Sequence, residues 1–148
     1  MITYIESISF YYDEKIEHYG LQILFKFYSN NYLLFNSTEF IFLDDIEKLD
    51  KLYNWKAIDY PEFSTKKLHI KNIKEDELTS YFIEFSNGDI FYIYQRIYGY
   101  GDWQQDFEIA SKNNDPRWYN EVKGHMNEDW IETIFSDNKF SNNTSNKK

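Results

Sequence analysis

Residues Ser80–Tyr98 read SYFIEFSNGDIFYIYQRIY, two runs of β-branched and aromatic residues on either side of Asn87-Gly88. An Asn-Gly pair in that setting is the strongest short-range hairpin signal, because both residues of a two-residue turn must tolerate positive φ. With Asn87 and Gly88 as the loop, Ser86 faces Asp89. The pairing then runs outward through Phe85–Ile90, Glu84–Phe91, Ile83–Tyr92, Phe82–Ile93 and Tyr81–Tyr94. This register sets Tyr81, Ile83, Phe85, Ile90 and Tyr92 on one face, and Phe82, Phe91, Ile93 and Ile97 on the other. A ribbon apolar on both faces needs cover on both, which places it in the middle of a sheet. The expected fold is therefore α+β: an antiparallel β-sheet built around this central Asn-Gly hairpin, with a few helices packed against it.

Upstream of the hairpin the pattern is that of an antiparallel meander. Ile2 to Tyr12 alternates, with Ile2, Tyr4, Ile8, Phe10 and Tyr12 on one side and Thr3, Ser7 and Ser9 on the other. Asp13 to Gly20 is a polar turn. Leu21, Ile23, Phe25 and Phe27 mark a second strand, Tyr32 to Phe35 a third and Phe40 to Leu43 a fourth. At Asp44 to Asn54 the period changes: Ile46, Leu49, Leu52 and Tyr53 form a helical stripe, with Asp44 and Glu47 disposed as a capping box. Trp55 to Thr65 reads as a loop carrying Pro61. Leu68 and Ile70 alternate with Lys67, His69 and Lys71, as an edge strand with a charged face does.

Downstream, Tyr98-Gly-Tyr-Gly-Asp-Trp103 reads as an irregular aromatic loop, and Phe107 to Ile109 as a last short strand. Asp115-Pro116 is a helix start and Gly124 its stop. Asn127 begins a second helix, with Glu128 and Asp129 in its first turn and a stripe of Trp130, Ile131, Ile134 and Phe135. From Asp137 the sequence turns to Asn, Ser and Lys. Residues 1–138 are expected to form a single domain, and 139–148 a disordered polar tail.

Composition narrows the functional classes. The chain has 148 residues and a net charge of −9, and its last ten residues hold three lysines and no acid, so the body is more acidic than the whole. Such a body repels phosphate backbones, which argues against nucleic acid and in favour of a basic protein partner. Aromatic residues make up 21%, with 14 Tyr and 13 Phe, so the core is built from wide flat side chains. With no cysteine there is neither a disulfide framework nor a thiolate site. No basic-then-apolar leader opens the chain, and no window reaches the length of a membrane span. The reading is of a cytoplasmic protein.

No local catalytic motif stands out in the sequence, and a Ser-His-Asp site, which is recognised by geometry, stays open at this level. His125-x-x-Glu128-Asp129 lacks the second histidine that the zinc arrangement requires, and no Gly-x-Ser-x-Gly elbow occurs. Gly99-x-Gly101 has neither the third glycine nor the lysine of a phosphate loop. The carboxylate pairs Asp13-Glu14, Asp44-Asp45, Glu75-Asp76-Glu77 and Glu128-Asp129 fall in turns or first helical turns, where capping or solvation accounts for them. No catalytic, metal-ligating or cofactor-binding residue is nominated. What remains are two loops that combine aromatics with acids, the composition of protein-binding hot spots. Tyr100, Asp102, Trp103 and Asp106 come from the loop after the hairpin, and Asp59 and Tyr60 from the loop around Pro61. The same aromatics, Trp103 above all, also suit a core role.

In general character the chain resembles the immunity proteins that bacteria encode to neutralise the toxins of contact-dependent and other polymorphic systems. Those too are often small, cysteine-free, acidic and cytoplasmic. The resemblance spans the whole chain and rests on no motif, so no family residue is carried over. It implies a non-enzymatic inhibitor, without a cofactor, that binds a basic toxin domain such as a nuclease. Phage-encoded inhibitors of bacterial defence proteins share this character. The competing class is a small-ligand-binding domain or enzyme with an aromatic-lined pocket.

Overall fold

In the computed structural model, residues 3–16, 20–44, 54–77 and 80–137 are described. The helix expected over Asp44 to Asn54, the turn holding His18 and the tail 139–148 lie almost wholly outside them. The described chain builds two five-stranded antiparallel sheets, not one sheet around a single hairpin. The described residues divide into two compact units, one within 3–68 and 96–105, the other within 69–95 and 106–137.

The first sheet is the meander the alternation predicts. β1 (Ile5–Tyr12), β2 (Leu21–Phe27), β3 (Tyr32–Phe35) and β4 (Phe40–Leu43) pair in sequence order, and β5 (Lys56–Ala57) closes the far side of β1. The stretch around Pro61 is thus not wholly loop: it holds β5 and a short 3-10 helix, Pro61–Thr65. β1 departs from simple alternation. Its register against β2 slips between Ile5 and Ser7, so Glu6 is an extra residue, and its carboxylate meets Lys26 Nζ at 2.7 Å. That bulge brings Ile5 and Ile8, three apart, to full burial. Leu21, Ile23, Phe25, Phe27, Leu33 and Phe35 are buried with them on this sheet. Each such side chain contributes roughly 1.5–3 kcal/mol of transfer free energy.

The second sheet runs in the order β10-β6-β7-β8-β9. Its members are β6 (Ile70–Glu75), β7 (Tyr81–Phe85), β8 (Ile90–Gly99), β9 (Asp102–Ala110) and β10 (Glu132–Ser136). The β7–β8 register is Glu84↔Ile90, Ile83↔Phe91, Phe82↔Tyr92 and Tyr81↔Ile93, one residue away from a two-residue turn. Phe85 N–H donates to Asp89 O, and Gly88 N–H to Phe85 O, each at 2.9 Å. The loop is therefore Ser86-Asn87-Gly88, with Gly88 alone left-handed at φ 93°, the three-residue turn with a glycine bulge. Asn87 instead accepts the Asp89 N–H on its side-chain oxygen, at 3.0 Å.

This register re-sorts the faces. Tyr81, Ile83, Phe85, Phe91 and Ile93 share one face and are buried. Phe82 and Ile90 share the other, where Tyr119, Val122 and Met126 of α1 (Pro116–Met126) cover them together with Ala110 and Ile131. The three helix residues lie at i, i+3 and i+7, one stripe of an amphipathic helix. Asp115 caps α1 by accepting the Trp118 N–H at 3.2 Å, as the Asp-Pro pair predicts. Gly124 does not stop the helix. It continues to Met126, the last residue of the buried stripe, and Asn127 closes it.

Two expectations fail here for a common reason. β6 is not an edge strand, because β10 pairs with it on the side away from β7. The stripe Trp130, Ile131, Ile134 and Phe135 is correspondingly not a second helix, for Glu132–Ser136 is that covering strand. The open ladder of β6 supplies Glu132, Thr133, Phe135 and Ser136 with partners that no isolated helical turn offers. Among the described residues, no helix is long and apolar enough to cross a membrane.

Candidate functional site

Two turns of the 3–68/96–105 unit build the site. The β1–β2 connection folds back tightly: Asp13 N–H donates to Gly20 O at 2.7 Å, and Ile16 N–H to Asp13 O at 3.1 Å. The Asp13 carboxylate accepts the Lys15 N–H at 3.0 Å, which holds the acid at the turn. Gly20 is required by contact, since a Cβ there would sit 2.6 Å from the Asp13 carbonyl oxygen.

The second turn joins β8 to β9. The stretch read as an aromatic loop is the tip of this hairpin, and Asp102 and Trp103 already belong to β9. Gly99, Tyr100 and Gly101 are left-handed in succession, at φ 87°, 52° and 81°. Glycine adopts that backbone freely; tyrosine does so at a cost of ~1 kcal/mol. Tyr100 is 107% exposed, so nothing inside the fold offsets that cost. Ile97 and Tyr98 beside it are also exposed. At the base of this segment the fully buried Gln105 donates from Nε2 to the Ser37 carbonyl at 3.0 Å, tying β9 to the β3–β4 connection.

Between the two turns lies an open hollow of about 380 Å³. Tyr12, Asp13, Glu14 and Ile16 line it from one side, with Tyr98, Asp102 and Trp103 from the other. Three carboxylates thus stand around three aromatic rings. Of the six nominated residues, Asp102 and Trp103 meet in this hollow and Tyr100 stands at the tip of their hairpin. Asp59 is exposed but does not line it. Tyr60 is buried, packed edge-on against Phe63 with ring centroids 5.4 Å apart, so its ring serves the fold. Asp106 belongs to the other unit, half-buried, its carboxylate accepting the Phe107 N–H at 2.8 Å. Sequence reasoning placed Tyr98 in the aromatic loop but missed Tyr12, Asp13 and Glu14. The signal was an acid pair at the end of a strand, which by itself says only "turn".

The other unit carries the cluster around His125. His125 Nδ1 lies 3.1 Å from Glu128 Oε1, and Nε2 lies 3.3 Å from Asp76 Oδ2. Asp76 is buried and also accepts the Ser80 N–H at 2.9 Å. The imidazole packs edge-on against Phe82 and Trp130, and the Trp130 indole N–H donates to Glu128. The hydrogen bond from His125 holds the Glu128 carboxyl below its ordinary range. With a carboxylate facing each ring nitrogen, the imidazole links the end of the helix to Asp76 and Glu128. Among the described residues, no group of three or more His, Cys, Asp or Glu is disposed to hold a metal ion.

Compared with known protein families, with characterised proteins and with solved structures, the chain matches none.

Proposed function

We propose that this chain is a non-enzymatic acidic inhibitor that binds and neutralises a basic protein, in the manner of a bacterial toxin immunity protein acting in the cytoplasm. The net charge of −9 supports a basic partner. The observation that carries the reading is Tyr100: a large aromatic wholly exposed, on a backbone that costs the fold free energy, beside the carboxylate of Asp102. Aromatic side chains of this kind are the usual anchors of protein interfaces, and residues held in costly backbone geometry cluster at functional sites.

The test is affinity capture of the tagged chain from its native host, followed by identification of what is retained. A stoichiometric basic protein, encoded next to this chain and toxic when expressed without it, supports the proposal. The 380 Å³ hollow is within the size range of ligand sites, so a small molecule that copurifies in place of a protein would overturn the inhibitor reading and favour a ligand-binding domain. A retained bacterial defence protein would point to a phage-encoded inhibitor.

A further inference from the structure

We infer that the hollow between the β1–β2 and β8–β9 turns seats an arginine side chain of the basic partner; this rests on the inhibitor reading above and names the contact it uses. The lining is complementary to a guanidinium in both its properties. Asp13, Glu14 and Asp102 supply carboxylates from two separate turns, and among the described residues no lysine or arginine lines the space. Guanidinium is planar, donates through a fixed fork that matches a carboxylate, and stacks on aromatic faces. Tyr12, Tyr98 and Trp103 are the aromatic residues of that lining. A lysine ammonium meets the charge but not the flat aromatic lining, and it surrenders hydration less readily.

The surroundings favour a polypeptide as the carrier of that cation. Ile97, Tyr98 and Tyr100 expose 76%, 60% and 107% of their surface on the same hairpin. Tyr98 lines the acidic hollow, and Ile97 and Tyr100 lie close to it along the chain, a pairing of apolar anchor and charge like that at the centres of protein interfaces. A nucleic acid or an anionic lipid surface is repelled by the same three carboxylates. The tip is also unsuited to extending a β-ladder, because three left-handed residues in a row point their N–H and C=O groups out of strand register. Recognition is therefore by side-chain insertion rather than by strand addition.

The experiment uses the full chain and two probes, N-acetyl-arginine amide and its neutral isostere N-acetyl-citrulline amide, titrated at low salt while amide and indole resonances are followed. The expected result is saturable shifts of the Trp103 indole N–H and of the Gly99 and Gly101 amides with the arginine probe, and none with citrulline. Asp102→Asn and Glu14→Gln, both at exposed positions, should each weaken the arginine probe ~10-fold. Absence of shifts, equal response to citrulline, or unchanged affinity in both variants would overturn the assignment. Failure of the inhibitor reading is separable: if the probe binds the hollow but no basic protein is ever retained, the arginine seat stands and the inhibitor does not. If a basic partner is retained equally by wild type and by Asp102→Asn, the inhibitor stands and this seat does not.

Discussion

The Tyr119 hydroxyl donates to the Gly88 carbonyl oxygen at 2.8 Å, joining α1 to the loop between β7 and β8. A ring on the buried stripe of the helix thus reaches across the sheet to a carbonyl at its turn. Tyr119→Phe keeps the ring and removes the bond, so unfolding free energy should fall by ~1 kcal/mol in denaturant titration. Gly88→Ala should cost as much or more, because Gly88 is left-handed at φ 93°, where an L side chain is strained. Asn87→Val, by contrast, meets no positive φ and loses side-chain hydrogen bonds such as that to the Asp89 N–H, so it should cost less than Gly88→Ala. A larger loss at Asn87 than at Gly88 would contradict the three-residue loop.

Gly20→Ala should be strongly damaging, by ~2 kcal/mol, since at this buried position its Cβ would meet the Asp13 carbonyl oxygen at 2.6 Å and backbone must move. The Tm should fall accordingly. Because Asp13 belongs to the hollow, the variant should also lose the response of Trp103 to the arginine probe at temperatures where it remains folded.

Tyr100→Gly separates binding from folding. Removal of the side chain relieves the left-handed strain and takes nothing from the core. The Tm should stay level or rise slightly, while the partner complex should dissociate faster, with affinity lost by ~2 kcal/mol if Tyr100 is a central anchor. A drop in Tm would show that the ring supports the fold.

The acid limb of stability should depend on His125. Glu128 has its carboxyl below the ordinary value of 4.5, first through the His125 hydrogen bond. A depressed carboxyl contributes stability that is present above its unfolded value and is lost as pH falls through the folded one. Thermal scans below about pH 4.5 should show this loss, and His125→Gln should make the limb shallower. On the alkaline side, burial raises Tyr92 above its ordinary 10.0 against the opposing Ser80 hydrogen bond. Its contribution is complete below that value and declines as pH rises through the folded one, so Tyr92→Phe should flatten the limb above about pH 10.

Particular residues show how far the sequence could be read. The first four strands were legible because Leu21, Ile23, Phe25 and Phe27 alternate without interruption and polar turns bound them. The Asn-Gly pair located the turn but not its length: two- and three-residue loops both accept glycine there, and only Phe82 opposite Tyr92 in the folded chain distinguishes them. Trp130, Ile131, Ile134 and Phe135 have helical spacing, yet five residues are too few for period alone to decide. The vacancy beside β6 decides instead, and that is a tertiary fact. Of the site, Asp102, Trp103 and Tyr100 were legible as an acid beside aromatics. Their meeting with Asp13 and Glu14, some ninety residues earlier, depends on the path of the hairpin and leaves no local trace.

The position of β10 has a consequence for biosynthesis. β6, β7, β8 and β9 leave the ribosome before it, with α1 between, so the outer side of β6 stays unpaired until residues 132–136 have been made. During that interval Ile70–Glu75 presents free backbone donors and acceptors to any neighbouring nascent chain. Messages truncated between α1 and β10 should therefore yield products that accumulate as aggregates, and a ribosomal pause in that interval would lengthen the exposure.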